Sequence, residues 1–453
     1  MRLTLVGGGG VRSPLFVASC LRRAERLGLD DITLLDVRED RLAVILPIAQ
    51  EIVARSGVPL RLTATTDPAE ALEGASFVVT TIRVGGDDGR ISDERIALAR
   101  GVLGQETTGP GGFSMAMRTI PEALRYAEII ERVAPAAWTF NFSNPAGLVT
   151  QALRDAGHDR VIGICDGANA AQMSVAEHLG LDPDALEAEV FGLNHLSWCR
   201  SVVRDGVDLL GPLLTDPAFR DATSLGLFDP ALVAAKGMWV NEYLYYFYYA
   251  QEAIDEIRRA SSTRGEEIRE LNDRLFHQLG SAGSIDAALD AYYAYQSRRI
   301  ASYMPYERRG GPATPRVPAP EGARQRIDEG YAGVALTAIE GLATGGSIRT
   351  ALNVPNGSAI EGLAPTDVVE VTCDVSRDGI TPIRIGRIPD PEFALTTAVK
   401  TYERLAARAI VSRSRSMATQ ALMCHPLVGS YPLAVALVDD YLAANQIHDA
   451  SWS

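Results

Sequence analysis

Two residues in this chain carry metal-ligand chemistry on backbone runs that would present them. Cys165 closes the β-like run Arg160-Val161-Ile162-Gly163-Ile164, and His195 lies in Gly192-Leu193-Asn194-His195-Leu196-Ser197, which reads as a strand leaving a turn. A thiolate and a neutral imidazole suit one divalent cation. Upstream, a strand over 2–6 runs into Gly7-Gly8-Gly9-Gly10, a place to lay a dinucleotide pyrophosphate. Arg12 stands where the third glycine of that fingerprint would lie, so the loop alone is a weak signal, with a plain tight turn as the alternative. Its context is stronger: a helix follows, and Asp36 closes the next strand, where an acid would hold the ribose hydroxyls. Asp36 favours NAD over NADP, with nearby Arg38 the opposing feature. Together these residues predict a metal ion and a nicotinamide cofactor sharing one site.

A lone cysteine is most often a small hydrophobe, and a lone histidine a satisfied polar side chain. Cys165 and His195 rise above that because both would end strands at the carboxyl edge of a sheet, where such folds bind ligands. The competing pair Cys424-His425 is adjacent on a helix, where neighbouring side chains point about 100° apart. Cys20 and Cys199 sit in apolar settings and read as core. Between 243 and 249 there are five tyrosines, Tyr243 first among them, and composition does not single out a base. Arg83 and Arg90 bracket Val84-Gly85-Gly86-Asp87-Asp88-Gly89 straight after a strand, a position for an anion. Ion pairing of both with Asp87, Asp93 or Glu94 is the alternative, and Arg264 by itself reads as an ordinary surface arginine.

The elements that would position these residues follow a clear order. Strands are expected over 2–6, 31–36, 60–64, 76–81, 138–142 and 160–164, with helices between them, as over 14–27 and 38–56. Strands separated by helices imply parallel crossovers and a doubly wound sheet. The expected architecture is therefore α/β: a Rossmann-like dinucleotide-binding domain over 1–190, then a mixed α+β domain over 191–453 for substrate, metal and oligomerisation. In that second part helices are expected over 237–259, 263–279, 284–303, 330–343, 392–411, 414–423 and 431–444. Short strands are expected over 349–354, 368–375 and 381–384, and an extended proline-bearing loop over 308–323.

With 43 basic and 57 acidic residues the chain carries a formal charge of −14, which disfavours nucleic acid as a partner. No stretch approaches the ~20 apolar residues of a membrane span. Five scattered cysteines argue against a disulfide framework, and with no leader-like segment before the first strand a cytoplasmic protein is expected.

The ordered motifs closely resemble family 4 glycoside hydrolases, most of all the 6-phospho-β-glucosidase branch. The resemblance rests on residues 6–10 and 83–94, Gly104-Gln105-Glu106-Thr107-Thr108-Gly109-Pro110-Gly111-Gly112, Asn141-Phe142-Ser143-Asn144-Pro145, Cys165 and Gly192-Leu193-Asn194-His195. It continues through Asn241-Glu242-Tyr243-Leu244, Thr263-Arg264-Gly265, Val399-Lys400-Thr401-Tyr402-Glu403-Arg404 and His425-Pro426-Leu427. It implies a glycosidase that uses NAD and a divalent metal, typically manganese, outside the usual two-carboxylate scheme. In that chemistry the sugar is oxidised at carbon 3, the proton at carbon 2 becomes acidic, the aglycone leaves carbon 1, water adds and the hydride returns.

The resemblance places the metal on Cys165 and His195, the base at Tyr243, and a reacting-sugar arginine at Arg264. Substrate contacts fall at Arg83, Arg90, Asn144 and Asn194, and cofactor contacts at Gly7, Gly9, Gly10, Arg12 and Asp36. Cys165-Asp166-Gly167-Ala168 departs from the β branch: its Asp resembles the 6-phospho-α-glucosidase branch, where that residue protonates the leaving group, while Gly167-Ala168 match neither. The implied partner is a phosphorylated glycoside, in a homodimer or homotetramer. Two other functions stay open: a metal-free 2-hydroxy-acid dehydrogenase with a His–Asp pair, and a sensor or scaffold that binds NAD without turnover.

Overall fold

The structure, a computed structural model, describes residues 1–302, 330–445 and 452. The expected loop over 308–323 lies outside the described residues. Six short apolar runs form the parallel strands β1 (Arg2–Val6), β2 (Asp31–Leu35), β3 (Arg61–Thr65), β4 (Phe77–Thr80), β5 (Trp138–Asn141) and β6 (Val161–Gly163). They pair in the order β3-β2-β1-β4-β5-β6, with helices on the crossovers. This is the doubly wound arrangement, whose strand order reverses beside β1. Helices cover both faces, so the strands carry runs of buried side chains, among them Leu3, Leu5, Leu34, Val78, Val79 and Phe140. Each such side chain stabilises the fold by ~1.5–3 kcal/mol relative to exposure.

A second, antiparallel sheet contains β7 (Glu187–Leu193), β8 (Leu196–Arg204), β9 (Val207–Asp208) and β10 (Trp239–Val240). Later strands β11 (Ile348–Pro355), β12 (Val368–Ser376) and β13 (Gly379–Pro382) return to the first sheet and extend it, antiparallel, beyond β6. The carboxyl end of β6, where Cys165 lies, thus has a parallel strand on one side and the returning β11 on the other.

Two expectations fail in ways that matter for the site. The helix expected over 237–259 is broken. Trp239 and Val240 pair with Cys199 and Trp198 as β10, and the Asn241 side chain accepts from the Tyr243 amide at 3.0 Å to start a 3-10 turn over Glu242–Leu244. A single helical turn over Tyr245–Tyr248 follows, and a longer helix resumes at Ala250–Arg259. The glycine-bearing loop expected between Arg83 and Arg90 is also shorter than it reads. Gly86 already opens the helix Gly86–Ala99, and Arg90 lies inside it with its side chain buried.

Candidate active site

The strand β1 ends in a glycine turn that leaves no room for side chains. Gly7 has φ +93°, and a Cβ there would lie 2.7 Å from Thr81 Oγ1. Gly9 donates its amide to Asp36 Oδ2 at 2.9 Å, and a Cβ on Gly9 would lie 3.0 Å from that oxygen. The Arg38 amide donates to the other oxygen, Oδ1, at 3.0 Å, so the Asp36 carboxylate is fixed beside the loop. The Arg38 guanidinium pairs with Asp40 through Nε and Nη2 at 2.7 and 2.6 Å. That pairing occupies the Arg38 guanidinium, and an acid at the end of β2 fits a free ribose 2′-hydroxyl. Arg12 precedes the helix Ser13–Leu27, with its guanidinium 6.0 and 5.9 Å from the Phe142 and Tyr331 ring centroids.

Cys165 follows β6 and is buried, with Asp166 exposed next to it; Sγ is 4.0 Å from Asp166 Oδ1. His195 is not at the end of a parallel strand, as its sequence context suggested. It occupies the two-residue turn between β7 and β8 with φ +61°, a left-handed conformation costing roughly 1–2 kcal/mol for a residue with a Cβ. Such strain persists where surrounding structure over-determines it. Here the imidazole is stacked: its ring lies against that of Tyr243, with centroids 3.8 Å apart and planes within 1° of parallel. Asn241 ties the cluster together. Its Oδ1 accepts from the Tyr243 amide, and its Nδ2 donates to the Gly167 carbonyl at 3.4 Å, two residues past Cys165. The broken helix is therefore what carries Tyr243 to His195 and to the Cys165 loop.

The Gly104-to-Gly112 string now has a steric explanation. A Cβ on Gly111 would run into the Gln105 carbonyl, and one on Gly112 into the Thr107 carbonyl. The loop can therefore fold back on the first turn of the helix Pro110–Val133. Gln105 Oε1 accepts from the Thr107 amide, the Thr107 hydroxyl and the Thr108 amide at 2.7, 3.1 and 2.5 Å. With its proton committed to Gln105, Thr107 Oγ1 is left to accept from His195 Nδ1, which lies 2.9 Å away. That fixes the tautomer with the proton on Nδ1 and the lone pair on Nε2. Burial pulls the His195 pKa down to about 4, only partly opposed by Glu106, so the ring is neutral at pH 7. Burial, then the Glu370 and Asp166 charges, push the Cys165 thiol well above its ordinary value. A buried neutral imidazole with its nitrogen oriented and a buried thiol facing carboxylates are donors of the kind that a divalent cation takes. Among the described residues no group of three or more His, Cys, Asp or Glu is placed to hold a metal ion.

The arginines divide. Arg83 Nη1 and Arg90 Nη1 both reach Glu106 Oε2, at 2.7 and 3.1 Å, and Arg90 Nε also bonds Glu94 Oε1 at 2.8 Å. Burial opposes the Glu106 charge, yet Arg83 and Arg90, and then Arg299, hold its carboxyl well below the usual range. Arg90 is thus an ion-paired residue, and its charge is felt by Tyr243. Arg264 begins the helix Arg264–Gly280 and bonds Glu267 Oε2 at 3.2 Å, Ser302 Oγ at 2.9 Å and the Arg299 carbonyl at 3.4 Å. Gly265 behind it donates to Glu94 Oε2 at 2.8 Å, which joins this helix to the Arg90 network.

Asn144 follows β5 at the start of the helix Ala146–Asp155, across a cis peptide to Pro145. Asn194 packs on that same helix: a Cβ at Gly147 would lie 3.0 Å from its own. Asn194 Nδ2 donates to Glu370 Oε1 at 3.4 Å, and Asn353 Nδ2 donates to the same oxygen at 3.0 Å. Glu370, on β12, is fully buried, and burial raises its pKa to about 7, with Asp166 adding to the rise. Sequence reasoning quoted Gln105, Glu106 and Thr107 only as part of a motif, and passed over Glu370 and Arg299. The density of polar residues among the glycines of 104–112 was the available signal for the first three.

Models of the family 4 glycosyl hydrolases match residues 2–181, and of their C-terminal domain residues 190–428. The chain belongs to that family. A probable 6-phospho-beta-glucosidase of Bacillus subtilis is 30% identical over 463 residues, covering 99% of this chain and 97% of that protein. A 6-phospho-alpha-glucosidase of Lacticaseibacillus paracasei is 28% identical, covering 98% of this chain and 96% of the other. The 6-phospho-beta glucosidase of Thermotoga maritima, solved with manganese, NAD+ and glucose-6-phosphate, superposes with a TM-score of 0.81 at 26% identity, covering 98% of each chain. The expected family and architecture, with a Rossmann-like parallel sheet first and mixed α+β structure after it, are those of this family 4 chain. Among the described residues no helix is long and apolar enough to cross a membrane.

Proposed function

We propose that this family 4 protein hydrolyses 6-phospho-β-glucosides by oxidation at carbon 3, elimination and water addition, with NAD and a divalent metal, most naturally manganese. The observation that carries the reading is the convergence of the Cys165 loop, His195 and Tyr243 through Asn241 and the parallel 3.8 Å ring stack. A metal-free dehydrogenase would have no use for a buried thiol at that position. A protein that only senses NAD would have no use for a strained, tautomer-fixed histidine. The Thermotoga maritima relative that holds manganese, NAD+ and glucose-6-phosphate supports the same set of ligands.

Cys165 Sγ and His195 Nε2 would hold the metal, and the glycine turn with Asp36 would hold the pyrophosphate and adenosine ribose. When bound, the dinucleotide supplies a reversible hydride acceptor for carbon 3, and the metal supplies a Lewis acid for the adjoining sugar oxygens. The chain's own residues do the rest. Tyr243, stacked on His195, takes the proton from carbon 2. Asn144 and Asn194, at the start of one helix, orient the sugar, with Arg264 at its edge. Asp166, exposed beside Cys165, donates a proton to the leaving oxygen.

That exposed carboxylate is the feature that favours a second reading, α linkage. A panel of p-nitrophenyl α- and β-glucosides, each with and without a 6-phosphate, and each assayed with and without Mn2+ and NAD+, tests the proposal. The expected result is turnover of the 6-phospho-β-glucoside only when both cofactors are present. Turnover without either one overturns the mechanism, and preference for the α anomer overturns the linkage.

A further inference from the structure

Glu370 is a fully buried carboxyl group that the chemistry above does not use. Among the described residues no guanidinium or ammonium group pairs with it, and its hydrogen bonds come from neutral amides. A buried acid without a cation costs stability, and an aliphatic side chain would fill the same space without that cost. The reason for a carboxyl group at this position lies in what it joins.

On one side it faces the strand that leads to Cys165. Glu370 of β12 stands in register with Asn353 of β11, and Asn353 in register with Gly163 of β6. The approach is close: a Cβ on Gly163 would lie 2.8 Å from the Asn353 Cβ. Cys165 lies two residues beyond Gly163. On the other side is the strand that leads to His195. Thr372, two residues along β12 and on the same face as Glu370, donates its hydroxyl to the Ala188 carbonyl at 2.8 Å and accepts from the Val190 amide at 2.9 Å. Those bonds dock β7 against β12, and β7 runs on to the turn that holds Asn194 and His195.

Glu370 Oε1 accepts from both sides, from Asn353 Nδ2 at 3.0 Å and from Asn194 Nδ2 at 3.4 Å. Glu370 Oε2 and Asn353 Oδ1, on residues already bonded to each other, are buried acceptors without a donor. A carboxyl proton is a donor of the kind they lack, and burial favours keeping it.

We propose that Glu370 is a positioning residue: its Oε1 ties the Cys165 strand of one sheet to the His195 turn of the other, and it acts as a hydrogen-bond acceptor rather than as a charge. That the segments so held serve a metal ion rests on the functional reading above.

The test compares Glu370→Gln, whose carbonyl can accept from the same two amides, with Glu370→Leu, which has similar bulk and accepts from neither. In the full chain, Glu370→Leu is expected to weaken Mn2+ binding tenfold or more by calorimetry, with the NAD dissociation constant retained. In the metal-free protein it should also speed amide hydrogen exchange over 163–167 and 192–197. Glu370→Gln should recover most of both. Unaltered Mn2+ affinity and exchange in Glu370→Leu overturn the proposal, and so does a Glu370→Gln as impaired as Glu370→Leu, because charge would then be what the site needs. If Glu370→Leu does not fold, Asn353→Ala removes one of the two donors and is read the same way, unaltered affinity and exchange again counting against the proposal. If the unaltered protein binds no Mn2+, faster exchange at both segments in Glu370→Leu upholds the positioning role and the metal reading falls.

Discussion

The imidazole of His195 lies flat against the phenol of Tyr243, with centroids 3.8 Å apart and planes 1° from parallel. The two side chains reach each other from different directions, one from a strained hairpin turn and one from a 3-10 turn interrupting what reads as a single helix. The proposed metal ligand and the proposed base are thus packed as a unit. Displacing either ring displaces the other.

Thr107 sets the tautomer of that imidazole through Nδ1, so Thr107→Val should weaken Mn2+ binding about 10–100-fold, the usual effect of losing a ligand's outer hydrogen bond. Cys165→Ala and His195→Ala should remove tight binding altogether. Calorimetric Mn2+ titration of the folded variants checks this, and unaltered affinity in all three would reject the metal assignment.

Tyr243→Phe keeps the ring that stacks on His195 and removes the hydroxyl. It should lower kcat by about 10²–10⁴, the range for loss of a general base, with NAD and Mn2+ affinities retained. Near-normal kcat would move the base elsewhere.

How far the sequence revealed these relationships depends on where each partner sits in the chain. The parallel strands were legible to within about a residue, as at Arg2–Val6 and Asp31–Leu35, because a strand buried on both faces is a short apolar run bounded by turn residues. The break before Tyr243 was hidden because Trp239 and Val240 fit an aromatic helix face equally well. Their pairing with Trp198 and Cys199, some 40 residues earlier, decided the outcome. Arg90 read as a loop residue because glycines precede it, yet Gly86 starts the helix that buries it. Glu370 and Arg299 had no local signature, since what defines them is Asn194 and Asn353 for the one and the Arg12 neighbourhood for the other.

Asp36 accepts two backbone amides beside the glycine turn, and its charge faces the expected ribose site. Asp36→Ala should weaken NAD binding roughly 10–100-fold, using ~1.5–3 kcal/mol for hydrogen bonds to a charged group, and narrow the preference over NADP. Fluorescence titration with both dinucleotides measures this. An unchanged NAD/NADP ratio would contradict the role.

His425 lies off the end of the helix Arg415–Cys424, between Phe247 and Tyr402, with ring centroids 6.1 and 4.7 Å away. Burial lowers its pKa to about 3. The folded state thus favours the neutral ring, and below the unfolded value of ~6.5 the unfolded chain binds the extra proton. Stability should fall as pH drops from about 6.5 toward 3, by up to about 1.4 kcal/mol per pH unit from this group. His425→Asn, although less stable at pH 7, should show a shallower decline in urea unfolding over that range; an identical slope would exclude His425 as a contributor.

If the glycosidic bond breaks by elimination after oxidation, the hydrogen at carbon 2 reports on it directly. Hydrolysis of the 6-phospho-β-glucoside in D2O, with Mn2+ and NAD+ present, should give glucose 6-phosphate carrying deuterium at carbon 2, seen by proton NMR as loss of that signal. Substrate already deuterated at carbon 2 should also turn over more slowly. Product that keeps all its original hydrogen at carbon 2 would contradict the account, whatever the cofactor dependence of the rate.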